Sequence, residues 1–374
     1  MKNQLDFKVP FVASWGHLNF ICCFTSVFMF IEELDISGIT NYPCPPRNNG
    51  MPCHGCGNVR KGKCDGAALN KVSPYCFLFD TMTGHSSLHD RYDGEPNEMQ
   101  KLIGDVAGNS SCATDHTVDF LFGFTGYGYR TITDAARFKD EIIASIDAGM
   151  PVLAEGNPGE GRGGRFHVIT GYDGSELICP ADDYFYKQAR PDGPPIYNEL
   201  VALYIFGEKA APRYTLKDGL ENIRRVRGYN VSEKIWDDYL IKMGGWDAFP
   251  SEDGLDKADA KEKKARLERM LQTVRYTMNT HCLIKAFQDI HLRHEEMLDP
   301  AFLELWKKIE TTATYMGHGP EGIIARINWE TIRPSTFRGI SAKICEAIVK
   351  VKEADKQVLE YINHGIKKLD NRED

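Results

Sequence analysis

The stretch from Met150 to Asp183 constrains the fold most: PVLAEG, a glycine-rich excursion GNPGEGRGG, then RFHVITGYDGSELICPADD. Pro151 to Ala154 and Phe166 to Thr170 are short apolar, β-branched runs, and the glycines between them permit a chain reversal, which predicts an antiparallel hairpin. Gly171-Tyr172-Asp173-Gly174 has turn chemistry, and Glu176 to Cys179 reads as the next strand. His167 near the start of the middle strand, with Asp182 and Asp183 after the third, supplies the acid–base half of a nucleophilic site. Such a site needs a nucleophile from elsewhere in the chain.

The candidate nucleophiles lie upstream. From Val9 to Ile31 the chain carries no Asp, Glu, Lys or Arg. Pro10, Gly16, His17 and Asn19 interrupt the run, and Glu32-Glu33 follows it without a small-residue cleavage site, so it reads as neither a leader nor a membrane span. A buried helix over 19–34 is predicted instead, with Asn19 near its N-cap. A helix apolar on nearly every face is central to its domain. Cys22 and Cys23 occupy its first turns, either as thiols activated by the helix dipole or as small buried hydrophobes.

A cysteine-rich insertion at 41–76 follows. Cys44, Cys53, Cys56 and Cys64 place four thiols within 21 residues, in a segment with Pro43, Pro45, Pro46 and little apolar content. Such a loop cannot order itself on hydrophobic surface, and a structural zinc with four thiolate ligands would supply the order. An iron–sulfur cluster, a redox pair or unligated thiols are the alternatives, and Cys76 or His54 can replace one ligand. No organic cofactor is expected. The odd total of 11 cysteines and the adjacent Cys22-Cys23 pair point to a reducing cytoplasm rather than a disulfide framework.

Composition sets the outer bounds. A chain of 374 residues, 42% apolar and 26% charged, is long enough for two domains, and its net charge of −8 argues against a nucleic-acid partner. Tyr75 to Thr83 suits a buried strand or a helix start. His85 and His89 sit among Gly, Ser and Asp, a loop setting rather than a metal site. Val118 to Tyr129 is aromatic and glycine-rich, 134–148 has helical spacing, and Glu199 to Gly207 reads as a last strand. After Pro212 the pattern turns to long charged helices over 215–226, 232–243, 256–294, 300–315 and 335–369. His291, His294 and Glu295 fall at helical spacing within this charged region and read as a solvated face. The expected organisation is an α+β domain over 1–212 and an all-α domain over 213–374 that caps the first or pairs two copies as a homodimer.

Taken together, a buried helix with cysteines near its start, a late helix ending in AGMPV, and a strand FHVITGYDG followed by ADD resemble the papain-like fold of the C39-type cysteine peptidases. In layout the chain is similar to the BtrH N-terminal type of that superfamily, an acyltransferase-related group that also carries a helical C-terminal domain. The resemblance covers roughly residues 10–210. It implies that Cys22 or Cys23 attacks a carbonyl, that His167 takes its proton, and that Asp182 or Asp183 orients the histidine. Two departures accompany it. The family histidine precedes the glycine of the GY pair by six residues, a place held here by Arg165, and the family nucleophile position falls on Asn19.

Two functional expectations follow from the resemblance. One is cysteine-dependent acyl transfer or amide hydrolysis on a small-molecule or peptide-like substrate. The other is a catalytically inactive papain-like module in which Asn19 and Arg165 line a cleft for a small acidic ligand, with the zinc loop as a structural appendage.

Overall fold

A computed structural model describes residues 2–9, 19–34, 40–42, 70–87, 98–103, 114–156, 165–180, 200–244 and 334–371. The chain opens with a short strand, β1 (Lys2–Gln4), followed by the apolar helix α1 (Asn19–Ile31). An antiparallel ladder of β2 (Thr40–Tyr42) and β3 (Asn70–Val72) leads into α2 (Pro74–Met82). Residues 75–83 suit strand or helix by composition, and the local start signal decides for helix. The Ser73 hydroxyl accepts from the Tyr75 N–H at 3.2 Å, and Pro74 stands in the first turn, where no N–H is missed.

A 3-10 turn (His85–Ser87) and α3 (Glu98–Ile103) come next. The aromatic run that follows is divided between α4 (Asp115–Thr125) and β4 (Tyr127–Ile132), with Gly126 between them at φ 80°. That left-handed residue ends the helix and redirects the chain. The remaining elements of the first half are α5 (Ala135–Asp147), β5 (Val152–Gly156), β6 (Arg165–Ile169), β7 (Gly171–Asp173), β8 (Glu176–Ile178) and β9 (Leu200–Lys209). Beyond Pro212 stand α6 (Leu216–Ser232), α7 (Ile235–Gly244) and α8 (Pro334–Asp370). The helices expected over 256–294 and 300–315 lie outside the described residues, as do His291, His294 and Glu295.

The larger sheet has the order β4-β9-β5-β6, antiparallel throughout, and β1-β7-β8 forms a smaller one. The expected hairpin is therefore β5–β6, with β9 on its other side. Gly171–Asp173, turn-like in composition, is a strand, because β1 pairs with one edge of it and β8 with the other. Glycine at 171 admits that pairing: a Cβ there would stand 2.7 Å from the Asn3 carbonyl oxygen.

Both faces of the four-stranded sheet are covered. Leu153, Phe166, Val168, Ala202, Tyr204 and Phe206 join the core built on α1, α2 and α4. Val152, Ala154, Ile169, Leu203 and Ile205 join Phe138, Ile142 and Ile146 of α5. Helix α1 is the centre of the first core: Phe24 packs edge-on against Phe79 of α2 at 5.5 Å and against Phe122 of α4 at 5.1 Å. Burial of each such ring is worth about 2–3 kcal/mol.

The fold class is α+β. The elements described after Pro212 are all helical, and they do not stand apart from the first half. Leu220 and Ile223 of α6 and Val358, Ile362 and Ile366 of α8 belong to the same buried cluster as α1. Among the described residues no helix is long and apolar enough to cross a membrane.

Candidate functional site

The thiols and the histidine of the expected triad are placed by different elements, and the strand register decides whether they meet. Cys22 and Cys23 are 1% and 0% exposed on α1, inside the core that covers one face of the sheet. His167 on β6 is paired directly with Ala154 on β5. Directly paired residues of an antiparallel ladder present their side chains to the same face, and alternation puts Ile169 on that face as well. Ala154 and Ile169 both pack toward α5. His167 therefore belongs to the α5 face, whereas its neighbours Phe166 and Val168 face α1. The Cys22 or Cys23 pairing with His167 is corrected accordingly: the sheet itself lies between the thiols and the imidazole.

The other expected site residues divide into two sets. Asp182, Asp183, Cys44, Cys53, Cys56 and Cys64 lie outside the described residues, and with them the expected zinc loop. Asn19 and Arg165 are described by backbone alone, Asn19 as the first residue of α1 and Arg165 at the start of β6 opposite Gly156.

What does face the first turn of α1 is a carboxylate. Glu155 is paired with Phe166 on β6 and Ala202 on β9, both on the α1 face. The Tyr204 Oη donates to Glu155 Oε2 at 3.4 Å. Phe20, one residue into α1, packs on Phe166 at 4.9 Å and on Tyr204 at 5.6 Å, which brings the helix start over this corner of the sheet. Glu155 is only partly covered, while Leu153 and Ala154 before it are buried. Burial of the Glu155 carboxyl raises its pKa, and the Tyr204 hydrogen bond pulls more weakly in the opposite direction. The corner offers a carboxylate and a phenol above an aromatic floor, next to the positive end of a helix dipole. Its chemistry is that of a hydrogen-bonding and proton-accepting site. The sequence carried a signal for it, a single acidic residue in the apolar run PVLAEG.

A second polar cluster was masked by its loop-like composition. His85 Nδ1 lies 2.9 Å from Asp80 Oδ1, with both side chains at most 1% exposed. The Asn230 amide of α6 donates to the Ser87 carbonyl at 2.8 Å, and that of Asn222 donates to the Met82 carbonyl at 3.0 Å. The pair stands at the C-terminal end of α2, where the Asn222 and Asn230 amides cap two backbone carbonyls and so fix where α6 docks. Among the described residues, no group of three or more His, Cys, Asp or Glu side chains is arranged to hold a metal ion. In comparison with known proteins, the chain matches no family model and no curated protein.

Proposed function

We propose that the first half of the chain is a papain-like module without thiol catalysis, which binds a small polar molecule at the α1 end of the sheet. The observation that supports this reading is the β5–β6 register: it separates Cys22 and Cys23 from His167 and presents Glu155 where the start of α1 meets the sheet. A carboxylate accepts hydrogen bonds, so the ligand side facing it carries a donor such as an amine or hydroxyl. Arg165, which opens β6 opposite Gly156, falls on the same strand alternation as His167 and Ile169, so it is not part of this corner. The reading includes a structural zinc on Cys44, Cys53, Cys56 and Cys64, and residence in the reducing cytoplasm.

The test has two arms. Iodoacetamide at neutral pH leaves Cys22 and Cys23 of the folded protein unlabelled, because both are sealed in the core. Rapid labelling of either one restores the thiol-enzyme reading. A thermal-shift screen of amino acids, hydroxy acids and polyols on the wild type and Glu155→Gln, with Arg165→Ala as a control on the other face of the sheet, identifies the handle. A ligand whose stabilising shift is lost in Glu155→Gln supports the Glu155 corner. Equal shifts in all three proteins sink the proposal.

A further inference from the structure

Cys22, near the start of α1, and Cys76, in the first turn of α2, are both buried, and their Sγ atoms stand 4.0 Å apart. That is sulfur–sulfur contact, about 2 Å longer than a disulfide bond. The two helices are held at this distance by other packing. Phe24 meets Phe79 at 5.5 Å, Phe28 meets Tyr75 at 5.8 Å, and the Ser73 hydroxyl lies 3.2 Å from Met29 Sδ. The sulfurs are neighbours because the helices are, and bonding requires them to close from 4.0 Å to about 2 Å.

We infer that Cys22 and Cys76 form a reversible oxidative modification site, at which peroxide converts two thiols into a disulfide that clamps α1 to α2. One thiol attacks the peroxide oxygen, becomes a sulfenic acid and releases water. The second attacks the sulfenic sulfur and displaces hydroxide, which leaves as water with the thiol proton. In sum two thiols and one hydrogen peroxide give one disulfide and two waters, and a dithiol reductant reverses the bond by exchange. Peroxide is small enough to enter through local opening of the α1–α2 contact, where iodoacetamide is excluded. Cys23, the next residue of α1, points about 100° further round the helix and takes no part.

The bond joins residues 54 positions apart, and that segment includes Cys44, Cys53, Cys56 and Cys64. Oxidation therefore fixes both ends of the chain segment that carries the expected zinc thiols. It also fixes α1, whose Phe20 floors the Glu155 corner. The site itself is independent of any ligand reading.

The full-length protein is treated with hydrogen peroxide at neutral pH, its remaining thiols are blocked, and peptides are mapped without reduction. The expected result is a Cys22–Cys76 linked peptide from monomeric protein, removed by dithiothreitol. The midpoint of thermal unfolding rises by on the order of 5 °C with the link and returns on reduction. Cys23→Ala keeps the link, and Cys76→Ala abolishes both the link and the shift. Should Cys76→Ala fail to fold, the wild-type and Cys23→Ala maps decide alone. Cys22 bonded to any other cysteine, or still reduced when other cysteines have oxidised, overturns the inference.

Discussion

Glu32 lies just past the end of α1, with Lys209 Nζ at 2.5 Å and the Tyr127 hydroxyl at 2.5 Å from its Oε1. These donors, Lys209 first, hold its carboxyl below the usual range. Glu155 on the same half of the molecule is shifted the other way, chiefly by burial. The two residues predict opposite pH dependences. For Glu32 the folded pKa is depressed, so its stabilisation is present above the unfolded carboxylate pKa of about 4.3 and is lost as pH falls through the folded value. For Glu155 the folded pKa is raised, so stability is greatest with the group protonated and declines as pH rises through the folded value. Urea unfolding across pH 3–8 checks both. Glu32→Gln costs about 1–2 kcal/mol at neutral pH and progressively less in acid. Glu155→Gln is more stable than wild type at neutral pH, and its advantage shrinks as pH falls. Parallel curves for wild type and Glu155→Gln would remove the desolvated carboxylate from the account.

At the scale of single elements, the α4–Gly126–β4 joint is the sharpest test of local sequence logic. Gly126 at φ 80° caps α4, and its carbonyl accepts from the Ala210 N–H at 2.7 Å as β9 ends. A Cβ at this position would stand 2.5 Å from the Ala210 carbonyl oxygen. Gly126→Ala therefore costs at least about 1 kcal/mol from the left-handed backbone, with the clash added, and lowers the unfolding midpoint measured by circular dichroism. Elements with such local signals were legible in the sequence: α5 between Asp134 and Gly149, α8 after Pro334, and the glycine-bounded hairpin. The face of the hairpin that meets α1 was not. Alternation shows that positions 165, 167 and 169 share a face, but β5 and β6 carry buried apolar side chains on both sides because α1 and α5 cover both. A strand buried on both sides has no solvent face to orient it. The strand character of Gly171–Asp173 was hidden for a related reason: it is conferred by β1, more than 160 residues away in sequence.

At the scale of the whole chain, the change in composition at Pro212 marks a change of pattern, whereas the hydrophobic core runs across it. Ile362 and Ile366 of α8 and Leu220 and Ile223 of α6 are buried in the cluster that surrounds Phe20, Phe24 and Phe79. Lys217 at the start of α6 pairs with Asp370 at the end of α8, and Lys352 of α8 pairs with Asp237 of α7. The Asn230 amide, bonded to the Ser87 carbonyl, joins the two halves at another point of the same boundary. Removing residues 213–374 would uncover the outer side of α2 and strand the Ser87 and Met82 carbonyls that Asn230 and Asn222 now satisfy. An exposed apolar face and orphaned buried carbonyls both destabilise what is left. A fragment of residues 1–212 is thus expected to be protease-sensitive and to unfold without a cooperative transition, while the full chain resists proteolysis through α1 and α2. In the full chain, Ile362→Ala costs about 3 kcal/mol, the usual loss for emptying a buried branched side chain. That loss should speed cleavage within α1 as well as within α8, since both line one core. Cleavage accelerated in α8 alone would mean that the two halves open independently, and the shared-core account would then fail.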